Sequence, residues 1–170
     1  MFKLILMRFR DMKTIGKLIP GANEQANMMG EEEPGAEHFV LSALNLEDGT
    51  AKRTFDKVGI DSKKFKDAIK AQYEEALSAV GINGETIKID PEPIESNKIF
   101  RDSQPSGQEL MKSLYALKKN DKERPLLGAH VIIVAASIEH GVVPRAFKVL
   151  GVDRAILAKV AREEIDLMQC

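Results

Sequence analysis

The sequence predicts an all-α fold, built as two tandem four-helix repeats related by pseudo-two-fold symmetry. Three observations carry that expectation. Shifting the chain by 92 residues without a gap pairs eight identical residues between His38 to Asp61 and His130 to Asp153. They are His38/His130, Ala43/Ala135, Glu47/Glu139, Gly49/Gly141, Arg53/Arg145, Phe55/Phe147, Gly59/Gly151 and Asp61/Asp153. Unrelated segments of that length share about one or two residues by chance, so the chain contains an internal duplication. Apolar residues recur at helical spacing through both copies, and glycine and aspartate punctuate both at matching places.

The duplication divides the chain into repeat 1 (1–80), a linker (81–104) and repeat 2 (105–170), with the two repeats packing as one domain. An opening helix is expected from about Asp11 to Met29, kinked or broken at Pro20-Gly21, because proline lacks the amide that a helix interior needs. From Ala36 to Glu47, the residues Phe39, Val40, Ala43, Leu44 and Leu46 form a helical pattern that Asp48-Gly49 ends. A short helix follows from Thr50 to Val58 and closes at Gly59 in the left-handed conformation. Asp61 then caps a helix with Phe65, Ala68, Ile69, Tyr73, Ala76, Leu77 and Val80 on one stripe, where Gln72 is the one polar residue.

The second copy repeats this grammar. An upstream helix runs from Pro105 to Asn120, then a helix from His130 to Glu139, a turn at His140-Gly141 and a helix from Val143 to Leu150. Pro144 falls in the first turn of that helix, where a missing amide costs least. Gly151 and the Asp153 cap lead into a last helix with Ile156, Leu157, Val160, Ala161, Ile165 and Met168 inward. The linker holds Gly84, Pro91, Pro93 and several acids without a sustained period.

Composition narrows the function. Twenty-five lysines and arginines nearly balance 26 aspartates and glutamates, so no strong field steers the chain to nucleic acid or an anionic membrane. The apolar start, Met1 to Phe9, is too short to span a bilayer. Cys170 is the lone cysteine, which excludes an internal disulfide and fits a reducing, cytoplasmic setting. No cysteine or histidine sits at zinc-ligand spacing, so no metal is expected. Nor is a cofactor or a catalytic residue: the 170 residues contain no Gly-x-x-x-x-Gly-Lys-Ser/Thr phosphate loop and no nucleophile-base pairing.

The run Gly35-Ala36-Glu37-His38-Phe39-Val40-Leu41, followed by Gly49, Ala51, Phe55 and Gly59-Ile60, resembles the duplicated amino-terminal domain of Clp ATPases of the ClpA/ClpC class. Ala22, Glu24 and Ala26 fall on that family's first-helix pattern, and the resemblance covers nearly the whole chain. It implies a non-catalytic docking module for adaptors, degrons or client proteins of a Clp ATPase and protease, and in some members for phosphoarginine. The ATPase itself is absent from this sequence, which leaves a stand-alone protein or a piece of a larger chain both open. The alternative is an independent helical regulator or sequestering protein, with phosphoarginine read through repeat 1 as one form of it.

The resemblance places phosphoarginine recognition on the acid before the motif histidine, where a carboxylate accepts two bonds from the planar guanidinium. Glu37 holds that position, between Ala36 and His38, and Ala129 replaces it in repeat 2. The acidic run Glu31-Glu32-Glu33 just ahead would repel a phosphate, so protein docking is favoured, and Glu37 as a plain helix N-terminal acid remains an equal reading. Phe9 with Arg10, and Phe100 with Arg101, lie outside the repeat pattern as docking candidates. The repeat-core residues are His38, His130, Phe55, Phe147, Gly59 and Gly151, the histidines as packing and capping groups rather than ligands. Arg53 and Arg145 are expected to lie over the seam between the repeats.

Overall fold

A computed structural model describes residues 2–79 and 103–168, and among these it contains eight α-helices and no strand. In chain order they are α1 (Phe2–Met28), α2 (Ala36–Leu44), α3 (Thr50–Lys57), α4 (Ser62–Ala79), α5 (Pro105–Asn120), α6 (Gly128–Ser137), α7 (Val142–Val149) and α8 (Arg154–Leu167). One continuous apolar cluster draws residues from both halves of the chain, including Phe39, Leu41, Phe55, Ile132, Phe147 and Leu157. The expected linker falls outside the described residues except for Ser103 and Gln104.

At the centre, α2 and α6 pack against each other. Every residue of α2 is buried, as is every residue of α6 up to Ala136. Both helices begin the same way. The amide of Gly35 donates to Nδ1 of His38 at 2.9 Å, and the amide of Leu127 donates to Nδ1 of His130 at 3.0 Å. Each ring therefore does what glutamate or glutamine does at the third helical position of a capping box: it satisfies the N-cap amide. Gly128 stands where repeat 1 has Ala36, and a Cβ there would lie 3.0 Å from the Ala43 carbonyl and from the Ala51 side chain. The glycine lets α6 approach the α2–α3 turn.

The α3 and α7 ends are likewise matched. Ile60 N donates to Phe55 O at 3.1 Å and Gly59 N to Asp56 O at 3.1 Å; Val152 N donates to Phe147 O at 2.9 Å and Gly151 N to Lys148 O at 3.1 Å. With φ of 78° at Gly59 and 69° at Gly151, both are Schellman ends that satisfy the last carbonyls. The following helices are capped by Asp61, which accepts from Lys64 N at 2.7 Å, and by Asp153, which accepts from Ala155 N at 2.8 Å. Packing is reciprocal as well, α3 lying on α8 and α7 on α4. Phe55 and Phe147 meet edge-on with centroids 6.3 Å apart, and Phe65 completes the cluster at 5.5 and 5.4 Å. At the seam Arg53 bonds Glu164 of α8 at 2.7 Å.

Five helices differ from expectation, in three ways. The first helix starts earlier and runs unbroken through Pro20. Proline costs about 3 kcal/mol in a helix interior, but this stretch is held by packing: Leu18, Ala22 and Ala26 are fully buried, and the Ser42 hydroxyl donates to the Leu18 carbonyl at 2.7 Å. Gly21 permits the approach, since a Cβ would fall 2.3 Å from Ser42 Oγ. The α2 helix ends at Leu44 and α6 at Ser137, short of Glu47 and Glu139, because the chain must turn before α3 and α7. Among the described residues of the α4 stripe only Phe65, Ala68 and Ile69 are buried, and Val80 falls outside them; Ala76 and Leu77 are exposed where the helix runs past the core, as are Ile156 on α8 and Met168 at its C-cap.

Candidate functional site

Glu37 is buried, 2% exposed, at the start of α2 beside buried Ala36 and His38. Its Oε1 accepts the Tyr73 hydroxyl from α4 and lies 3.8 Å from His38 Nδ1. Residues around the start of α5 roof this corner. Ala36 N donates to Ser106 Oγ at 3.2 Å, Gln104 N donates to Pro34 O at 3.2 Å, and a Cβ on Gly107 would fall 2.5 Å from the Pro34 carbonyl. Burial, followed by the nearby Glu37, holds the Glu31 carboxyl above its ordinary pKa. Burial and the same carboxylate push the Tyr73 phenol up. The corner is thus acidic and closed, with its carboxylate already engaged.

The equivalent corner of repeat 2 is closed by different groups. Gly128 N donates to Asp48 Oδ2 at 3.1 Å and Ala129 N to Thr50 Oγ1 at 2.8 Å. The Asp48-Gly49-Thr50 turn of repeat 1 thus caps α6. Both central helix N-termini, otherwise attractive to anions, are occupied by the protein's own oxygens.

The open concavity lies elsewhere. Helices α1 and α5 both pack on α2, and a groove of about 920 Å³ lies between them. Met12, Ile15 and Ile19 form one wall, Met111, Leu114 and Tyr115 the other, with Phe39 and Leu126 between. The spacing is helical on each wall, so a single face of each helix is presented. Met12 and Tyr115 are 68% and 75% exposed. Arg8, Asp11, Lys112 and Lys118 supply charge among the lining residues, three cations to one acid.

The groove's width is fixed by polar contacts at one end. Asp11 Oδ1 accepts Leu126 N at 2.6 Å, Thr14 Oγ1 donates to Leu126 O at 3.2 Å, and Lys118 Nζ lies 3.6 Å from Asp11 Oδ2. Lys118 also donates to the carbonyls of Asp121, at 2.8 Å, and Arg124. The connection between α5 and α6 is therefore stapled to α1.

Of the docking candidates read from sequence, Phe9 (66% exposed) and Arg10 (exposed) lie on α1 beside Arg8 and Asp11 but do not line the groove. Phe100 and Arg101 fall outside the described residues. Glu37, Ala36 and His38 belong to the separate α2 corner. Sequence reading missed Met12, Ile15, Met111 and Tyr115. Their signal was the apolar face of the two upstream helices, which periodicity alone assigns to a core. Among the described residues no group of three histidine, cysteine, aspartate or glutamate side chains could hold a metal, and no helix is long and apolar enough to cross a membrane.

No protein-family model and no curated protein matches the sequence. The structure does match the N-terminal domain of the caseinolytic protease associated chaperone ClpD from Arabidopsis thaliana, with a TM-score of 0.60 and 14% identity over 92% of each chain. The chain has the Clp N-domain fold.

Proposed function

We propose that the chain is a non-catalytic protein-binding module that docks adaptors, degrons or client proteins for a Clp ATPase and its protease, and that the groove between α1 and α5 is the docking surface. One observation supports this above the rest: on a Clp N-domain fold, the large concavity is apolar, open and walled by exposed Met12 and Tyr115. Methionine adapts its shape to varied side chains, and a ring such as Tyr115 brings a large contact area at low entropic cost. That chemistry suits extended or helical apolar segments of varied sequence. The cationic rim favours segments with acidic flanks.

Phosphoarginine is less well served. A guanidinium reaching Glu37 would have to displace the Tyr73 hydroxyl, and its phosphate would sit near Glu31. Affinity capture with the full chain tests the proposal. Wild type should retain a Clp ATPase, an adaptor or protease clients, and Met12→Asp/Tyr115→Ala should lose them. Equal retention by both proteins would reject the groove, and capture of no Clp component by either would favour an independent regulator.

A further inference from the structure

A second concavity, of about 410 Å³, lies at the turn between α6 and α7 and is lined by Glu139, His140, Arg145, Lys148, Val152 and Arg154, among others. Arg145, Lys148 and Arg154 set three cations against the single carboxylate of Glu139. The duplication supplies an internal control, because the matching positions of repeat 1 are Glu47, Asp48, Arg53, Asp56, Ile60 and Ser62. Where repeat 1 has Asp48, Asp56 and Ser62, repeat 2 has His140, Lys148 and Arg154. The turn is acidic in repeat 1 and basic in repeat 2.

The arginines differ in what faces them. Arg53 and Lys57 of α3 bond buried Glu164 of α8 at 2.7 and 2.6 Å. On the reciprocal side α7 packs on α4, which carries Gln72 at the position equivalent to Glu164, while Val149 replaces Lys57. Arg145 and Lys148 are exposed, and neither forms an ion pair among the described residues. Arg154 donates one Nη1 bond to the Ile138 carbonyl. That bond fixes its guanidinium at the pocket, with other N–H groups left to donate.

We propose that this pocket binds a phosphoryl group. A phosphoryl dianion balances the two net positive charges, and its oxygens accept separately from two guanidiniums and an ammonium. Two sources share that chemistry, free phosphate and a phosphorylated side chain of another protein.

The test is an NMR titration of the full chain at constant ionic strength. The probes are inorganic phosphate, a phosphoserine peptide, its unphosphorylated form and its glutamate form. Saturable shifts should centre on the amides of Gly141, Arg145, Lys148 and Val152. Arg145→Gln/Lys148→Gln, and separately Lys148→Asp, should weaken binding by about tenfold or more, while Lys52→Gln, exposed on α3 and lining neither concavity, changes nothing. Tighter binding of the phosphopeptide than of phosphate, with no binding of the unphosphorylated form, identifies a phosphorylated chain as the source. Phosphate binding at least as tightly identifies the free anion. The proposal is overturned by absent saturation, by indifference to the pocket substitutions, or by a glutamate peptide that binds as tightly as the phosphopeptide.

Discussion

His38 and His130 each accept a backbone hydrogen bond at Nδ1, so in each neutral ring Nε2 carries the proton, and both Nε2 atoms are buried without a hydrogen-bond partner. Burial is the main reason that both imidazoles titrate below the ordinary histidine value; Lys118 adds to the effect at His130, and the carboxylates of Glu37 and Asp121 oppose it. The unfolded chain takes up these protons near about pH 6.5, the folded chain only at lower pH. Their contribution to stability is therefore complete above that value and is lost as the pH falls from there toward the folded values. Melting temperature should drop between about pH 7 and pH 5, and the drop should shrink in His38→Gln/His130→Gln, where glutamine keeps an acceptor for the N-cap amide. An unchanged drop would assign the acid sensitivity to other groups. The capping role was legible in the sequence because both histidines recur at the start of a matched apolar helix. The enclosure of Glu37 was not, since it depends on Tyr73 and Gln104 arriving from elsewhere in the chain.

At the scale of elements, local chemistry set most boundaries. Gly59, Gly151, Asp61 and Asp153 perform the capping tasks their types and positions imply. Gly59→Ala and Gly151→Ala should each cost about 1 kcal/mol, because alanine tolerates the left-handed conformation poorly. Denaturant midpoints would show similar losses for the two if the helix ends are equivalent, and a loss at one alone would break the equivalence. What escaped sequence reading was tertiary. Pro20 is tolerated because Leu18, Ala22 and Ser42 hold α1 on α2, and the outer half of α4 carries apolar residues past the end of the core. Periodicity reports that a helix has an apolar face, without saying whether protein or solvent lies opposite.

Across the whole molecule, the two halves share one core and exchange helices, and Phe55, Phe65 and Phe147 lock the seam. Phe55→Ala and Phe147→Ala should each cost about 3 to 5 kcal/mol, measured by denaturant unfolding as one transition. Tolerance of either substitution would mean that the halves are not joined through these rings. The duplication made this architecture legible. Two features were not legible in it: α1 and α5 leave a groove open, and the α6–α7 turn is basic where its counterpart is acidic. Such features depend on which faces remain uncovered after packing.

The central claim is that the α1–α5 groove holds apolar protein segments. Fluorescence anisotropy with a labelled apolar peptide bearing acidic flanks tests it directly. Met12→Asp/Tyr115→Ala should weaken binding by about 2 kcal/mol or more, the scale of an interface hot spot, with the melting temperature nearly unchanged because both side chains are exposed. Undiminished binding by that variant would contradict the account.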